Sequence, residues 1–439
     1  MVIGPRIACL SADEILDSRG LPTIQINLEL VDGTRACVGV PSGASTGRFE
    51  AVELRDRDDP RYGGRGVRNA IQNVLDRVSP VLAGMRSDEQ RAIDDALIAL
   101  DGTPDKSFLG GNVTVGVSLA CAKAAACSHG LELFEYLGGA NAHVMPVPMF
   151  NVLNGGKHAE GGSDIQEFKL VPVGAPTFSE ALRYGSETYH TLRRLIAESG
   201  HSSAVGDEGG FAPMLATNTA YLDIIVRAIE LAGYRPGEDI AIGIDPAASS
   251  FHQNGTYSLR RDRLSLSSGE LVHYWKTWAC SYPILSLEDP FDEDDWEGFR
   301  SITEQLGEQM QIVGDDLFVT NWKFVERGIQ LGCCNCVLIK PNQIGTLTEA
   351  MDTARLAMKA GFACMVSHRS GETEDTSISD LAVALGCGQI KAGAPARGER
   401  VAKYNRLLAI ERLLNGRASY PGRDAFRRPI RDMKLPTRD

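Results

Sequence analysis

From about residue 145 onward the chain alternates short, bare apolar runs with helix-length segments of mixed character. The runs are "FKLVPV" (168–173), "IAIGID" (240–245), "ILSLED" (284–289), "QIVGDD" (311–316), "CVLIK" (336–340), "ACMVS" (363–367) and "GQIK" (388–391). Runs with so few polar positions can be buried on both faces, which predicts a parallel sheet. The segments between them have readable helix ends. Thr177-x-x-Glu180 forms a capping box that Gly200 closes, and Thr346-x-x-Glu349 forms another that Gly361 closes. "TNWKFVERGIQLG" (320–332) reads as a short helix capped by Thr320. Many strand–helix units without a dinucleotide glycine fingerprint favour a closed barrel over an open sheet.

The first part of the chain follows a different pattern. "TIQINLELVDG" (23–33) alternates apolar and polar residues, as an antiparallel strand entering a turn does. "AIQNVLDRVSPVLAG" (70–84) and "NVTVGVSLACAKAAACSHG" (112–130) are helical runs. The predicted architecture is therefore α/β: a (β/α)8-type barrel over residues 141–439 behind a smaller α+β domain over 1–140. The basic end "FRRPIRDMKLPTRD" (426–439) is expected to be a solvated tail or a surface strap.

Composition narrows the function. The chain has 439 residues, 43% hydrophobic and 23% charged, with a formal net charge of −12. That charge argues against nucleic acid as the main partner but leaves room for a small anionic substrate where cations gather locally. The opening "MVIGPRIACLSADEILDSRG" shows no secretory signal, and the most apolar stretch, "VGVSLACAKAAAC" (115–127), is short and carries Lys123. No membrane span is expected, and the scattered cysteines fit reduced thiols in a cytoplasmic protein. Cys333 and Cys336 form a Cys-x-x-Cys with no second pair nearby, which favours packing over a zinc site.

The chemistry gathers at the ends of the apolar runs. Asp245, Glu288, Asp315, Lys340 and Lys391 each close one, and His368 and Arg369 follow another. Barrel active sites lie at the carboxyl ends of the strands. Acidic residues after a strand often serve as turn residues or helix caps, and Asp289 and Asp292 to Asp295 are expected to do so. Glu288 and Lys340 stand inside or at the end of buried-looking runs, where an unpaired charge would be costly. Asp245, Glu288 and Asp315 supply three hard oxygen ligands that suit Mg²⁺ or Mn²⁺ better than zinc. Lys340 reads as a base that takes a proton beside a carboxylate, and Lys391 as a substrate-binding cation. Glu208, in "AVGDEGGFAP" (204–213), is the candidate acid for a departing group; a solvated turn is the alternative.

These residues lie within longer motifs: "VPSGASTGRFEAVELRD" (40–56), "PVPMFNVLNGGKHAEGGSDIQEF" (146–168), "LEDPFDEDDWEG" (287–298), "GDDLFVTN" (314–321), "LIKPNQIGTLTE" (338–349), "SHRSGETED" (367–375) and "QIKAGAPARGER" (389–400). With them the chain closely resembles the enolase family, nearly end to end. The resemblance implies a small α+β domain on a barrel with irregular first strands. It also implies reversible dehydration of 2-phosphoglycerate to phosphoenolpyruvate and assembly as a homodimer or homo-octamer. It assigns the tighter of two Mg²⁺ to Asp245, Glu288 and Asp315. Lys340 takes the proton from carbon 2, and Glu208 protonates the leaving hydroxyl with Glu167 and His158 alongside. Arg369 and Ser370 bind phosphate beside His368, Lys391 faces the carboxylate, and Ser45 on a closing loop serves a second Mg²⁺. A Lys or His base with Mg²⁺ is a known pattern of the wider superfamily.

Leu21, Met214, Pro246, Ser250 and Ala392 depart from the residues common in the family, as does "LGGNVTVGVSLA" (109–120). Pro246, Met214 and Ala392 each stand close to a site residue. They keep open a second reading, a paralogue from a phosphonate or phosphinate pathway, similar to carboxyphosphonoenolpyruvate synthase, acting on another phospho-substrate. A purely binding or structural protein would not need the ligands and Lys340, all of which are present.

Overall fold

The structure, a computed structural model, describes residues 4–44, 46–159 and 161–426. Ser45 and all of the basic tail after Phe426 lie outside the described residues. The N-terminal part holds an antiparallel sheet of β1 (Ile7–Leu16), β2 (Pro22–Leu30) and β3 (Arg35–Gly39). A helix, Gly111–Ser128, lies against it and is buried along most of its length. Small residues allow this packing, since a Cβ on Gly116 would come within 2.7 Å of both Ile26 and Val40.

The barrel begins with β4 (Val147–Asn154), β5 (Glu167–Val171) and β6 (Ala241–Asp245). A small antiparallel sheet follows, made of β7 (His252–Gln253), β8 (Thr256–Leu259) and β9 (Leu264–Leu266). The remaining barrel strands are β10 (Ile284–Glu288), β11 (Gln311–Gly314), β12 (Cys336–Ile339), β13 (Ala363–Ser367) and β14 (Gln389–Lys391). They close in the order β10-β11-β12-β13-β14-β4-β5-β6.

The barrel is not wholly parallel, contrary to the reading of "FKLVPV" as one more parallel strand. β5 runs antiparallel to both β4 and β6. The cause is the connection: the chain returns from β4 through residues 155–166, which contain only a short 3-10 turn, Gly156–His158. A parallel return would need a full crossover. The reversal has a consequence for the site. The first residue of β5, Glu167, pairs with the last residues of β4 and β6, Asn154 and Asp245. Glu167 therefore lies on the same rim as the carboxyl ends of the other strands.

The interior changes character along the barrel axis. Met149, Val171, Val313, Leu338 and Met365 form a buried apolar cluster. Above it, side chains at the strand ends are charged yet buried. Two details of the sequence reading need correction. The helix Trp322–Leu331 is capped by Asn321, whose side chain accepts from the Lys323 amide. Thr320 is in a left-handed conformation, and its hydroxyl donates to Leu338 O and Gln343 Oε1. Asp295 does cap the helix Trp296–Leu306, but Asp289 is not part of that helix start. Its buried carboxylate accepts from the backbone amides of Asp315 and Asp316, both at 2.8 Å, and so ties the β10 end to the β11 end. The ten cysteines are all free, and Cys333 and Cys336 are both buried. Among the described residues no helix is long and apolar enough to cross a membrane.

Candidate active site

Of the residues singled out from the sequence, all but Glu288 and Ser45 line one small cavity at the barrel rim. Glu288 lies directly behind it, with 0% exposure, and bonds the residues that do line it. Lys391 Nζ is 2.6 Å from Glu288 Oε1 and 3.3 Å from both Asp245 Oδ2 and Glu167 Oε2. Lys340 Nζ is 2.5 Å from Asp315 Oδ2. In the same cavity, His158 is 3.7 Å from Glu208 and 3.9 Å from Glu167. His368 Nε2 is 3.2 Å from the other oxygen of Glu208.

A buried arginine sets the protonation of His368. An Nη1 of Arg400 lies 2.6 Å from His368 Nδ1. A guanidinium can only donate, so Nδ1 accepts and the ring proton resides on Nε2, facing Glu208. Burial pushes the pKa of His368 down, in keeping with a neutral ring. Asn151 Nδ2 donates to Glu208 at 2.9 Å and fixes the carboxylate from the β4 side.

The loop that leaves the N-terminal sheet reaches across to this rim. Ser42 and Gly371 exchange two backbone hydrogen bonds, and the Ala51 amide donates to Gln343 O. Glu50, from the same loop, takes Arg369 in a two-pronged pair at 2.9 and 3.1 Å. Ser370 Oγ accepts from the Ala44 amide at 2.6 Å.

Two family descriptions match the chain. "Enolase, N-terminal domain" covers residues 7–137, and "Enolase, C-terminal TIM barrel domain" covers residues 142–429. The chain belongs to the enolase family. It is thus a member of a metal-dependent, lyase-type family, and it carries buried acidic groups able to hold a metal ion.

The carboxylates of this enolase-family rim fit a divalent ion on charge grounds. Glu167, Asp245, Glu288 and Asp315 are paired with Lys169, Lys340 and Lys391, and all seven are buried. Asp289 and Asp316 add further acidity beside Asp315, and oxygens of these three lie within 4.8 Å of one another. Burial, then repulsion from Glu288, pushes Asp245 well above the usual carboxylate range. Burial, then Asp315, pushes Asp316 up to about 7. Burial also opposes ionisation of Glu288, but Lys169 and Lys391 outweigh it and hold that carboxyl below its ordinary range. An excess of buried negative charge on hard oxygen donors suits Mg²⁺ or Mn²⁺. Asp245, Glu288 and Asp315 stand at the ends of three successive strands.

The sequence reading missed several members of this enolase-family site. Lys169 Nζ is 2.5 Å from Glu288 Oε2 and 3.4 Å from Glu167. A charge inside the apolar run "FKLVPV" was the available signal, the same one that singled out Glu288. Asn151 offered a similar signal as an amide within the wholly buried β4. Gln343, which donates to Asp315 Oδ1 at 2.9 Å, and Glu50 had no local signal. Arg400 had none either: it ends the motif "QIKAGAPARGER", but nothing in that polar stretch marks it as reaching the rim from the helix Gly398–Leu413.

Proposed function

We propose that the protein reversibly dehydrates 2-phosphoglycerate to phosphoenolpyruvate with Mg²⁺ as its ion. The observation that carries this reading is that one cavity is lined both by Lys340, paired with Asp315, and by Glu208, flanked by His158 and His368. A base and an acid lining one cavity suit removal of a proton and of a hydroxyl from neighbouring carbons. The ion would supply positive charge against the substrate carboxylate as the adjacent carbon loses its proton. Lys340 takes that proton. Burial disfavours the charge of Lys340, but Asp315 raises its pKa above the ordinary lysine value. It becomes competent as a base once Asp315 is engaged elsewhere and the ammonium has released its proton to solvent. Glu208 is held by Asn151; burial opposes its ionisation, but the neighbouring imidazoles and Arg400 outweigh it and hold its carboxyl well below the ordinary range, so it takes up a proton from solvent before delivering it to the leaving hydroxyl. Lys391 orients the carboxylate end, and Glu167 stands beside His158 and Glu208. Arg369 and Ser370 take the phosphate once Glu50 and the Ala44 amide release them. Ser45 would serve a second ion.

The test is direct. Purified protein is mixed with 2-phosphoglycerate and Mg²⁺, and the enolpyruvate absorbance in the ultraviolet is followed against an EDTA control. Metal-dependent turnover supports the reading. A folded, Mg²⁺-binding protein without turnover would shift it to another phospho-substrate on the same rim. Ala392, buried beside Lys391, Pro246 and Met214 would then be the positions to exchange first.

A further inference from the structure

Lys169 has no part in the reaction outlined above, yet it grips a residue at the centre of the rim. Side chains alternate between the two faces of a strand. On β5, Val171 belongs to the apolar cluster inside the barrel, whereas Phe168 and Leu170 pack into the larger core outside it. Glu167 and Lys169 therefore point inward with Val171. Lys169 stands between the rim and the apolar cluster and is fully buried. Its Nζ lies 2.5 Å from Oε2 of Glu288, while Nζ of Lys391 lies 2.6 Å from Oε1. Both oxygens of Glu288 are thus taken by ammonium groups, but the two lysines differ in freedom. Lys391 lines the cavity and has Asp245 and Glu167, each at 3.3 Å, as alternative partners. Lys169 does not line the cavity, and its next carboxylate among the described residues is Glu167 at 3.4 Å, which Lys391 shares. Lys391 can turn to an arriving anion; Lys169 stays on Glu288.

We propose that Lys169 is a positioning residue of the metal centre: it keeps Oε2 of Glu288 to itself, leaves a divalent ion the other oxygen alone, and so weakens ion binding and disfavours large ions. The proposal rests on the reading that Glu288 holds the ion. Two effects act together. The ammonium opposes any cation that approaches Glu288, and burial leaves this repulsion little screened by salt. It also withdraws an oxygen. Ca²⁺ takes roughly six to eight oxygen ligands, with carboxylates free to give both of theirs, whereas octahedral Mg²⁺ is smaller and keeps several waters. A carboxylate with a single free oxygen therefore handicaps Ca²⁺ more than Mg²⁺.

The test titrates Mg²⁺ and Ca²⁺ calorimetrically into the metal-free full chain. Lys169→Met removes the ammonium while keeping an unbranched side chain of similar length. Mg²⁺ is expected to bind this variant at least about tenfold more tightly than the unaltered chain, a fraction of what one neighbouring charge can contribute at a buried site. Ca²⁺ should gain more than Mg²⁺, by a further factor of about three or above, because a whole carboxylate becomes free. Arg193→Gln, which removes an exposed charge from the outer helix Phe178–Glu198, should leave both affinities within about twofold. Unchanged or weaker Mg²⁺ binding in Lys169→Met would overturn the proposal, since Lys169 would then only support Glu288. Equal gains for the two ions would overturn it too, leaving charge without a withheld oxygen. Glu288→Gln tests the reading beneath it and should lose most Mg²⁺ affinity. Affinity kept in Glu288→Gln would remove Glu288 as a ligand, and the proposal with it; affinity lost there but unchanged in Lys169→Met would strike the proposal alone. Circular dichroism checks the fold of each variant, and Lys169→Gln, which keeps a polar side chain at the position, replaces Lys169→Met should the latter not fold.

Discussion

The barrel rim and the exposed loops beside it are both rich in charge, and they manage it in opposite ways. At the rim every described cation meets a carboxylate: Lys169 and Lys391 share Glu288, Lys340 holds Asp315, and Arg369 holds Glu50. On the loops, Lys157, Arg260 and Arg263 are exposed and meet no carboxylate among the described residues. Burial explains the difference. A charge withdrawn from water costs several kcal/mol unless it is paired, so the rim must neutralise itself when empty. An exposed arginine carries no such penalty and can stay uncommitted. A self-neutralised rim is also poised for exchange, because a divalent ion and an anionic substrate arriving together would replace internal pairs with external ones.

Breaking the rim should have the largest effects. Lys340→Ala is expected to lower turnover of 2-phosphoglycerate by about 10³-fold or more while Mg²⁺ affinity, read by calorimetry, changes little. Retained turnover would remove Lys340 as the base. Glu208→Gln should lose dehydration but keep part of the hydrogen exchange at carbon 2; equal loss of both would deny it a separate acid role.

Structural partners of the rim should show in stability before activity. Lys169→Met leaves Glu288 with one ammonium in a fully buried setting, and a loss of about 3 kcal/mol in chemical denaturation is expected. An unchanged midpoint would mean that Lys391 alone suffices.

Acidity tests the same balance. Asp316 is raised from its ordinary 3.8 to about 7, and Asp245 and Asp289 are raised as well, in each case chiefly by burial. The unfolded chain releases these protons at lower pH than the folded one. The stability they contribute is therefore present below the unfolded pKa and lost as pH rises through the folded one. Metal-free protein should accordingly lose thermal stability between about pH 4 and pH 7, and saturating Mg²⁺ should shrink the slope. A flat profile in EDTA would contradict the excess of buried negative charge.

The smallest effect belongs to the loop over the rim. Glu50→Gln weakens the hold on Arg369, so binding of inorganic phosphate should tighten by a few-fold. Weaker phosphate binding would show that Glu50 positions Arg369 instead of competing for it.

Much of this rim was legible in the sequence because charge inside an apolar run is costly and therefore informative. Glu288 and Lys340 were found in that way, and Asp245, Asp315 and Lys391 by their place at strand ends. Lys169 carried the same signal and was passed over, since the run around it was read only as a strand. The antiparallel course of β5 was illegible from the run itself: direction depends on the connection, and residues 155–166 gave no periodicity to read. Asp289 looked like a cap because it stands in an acidic run that ends in the cap Asp295, yet backbone amides at the end of the adjacent strand β11 claim it. Glu50 and Arg400 reach the rim only through tertiary folding, which no local pattern reports. Ser45 lies outside the described residues, and its expected part in holding a second ion rests on the family resemblance.

The central claim is that this rim, once supplied with a divalent ion, removes the proton on carbon 2 of 2-phosphoglycerate. The most direct measurement is loss of that hydrogen into deuterated water, followed by proton NMR on the unaltered protein with Mg²⁺ and with EDTA. Exchange that requires Mg²⁺ is the predicted result. No exchange from a folded protein that binds Mg²⁺, or exchange undiminished by EDTA, would contradict it.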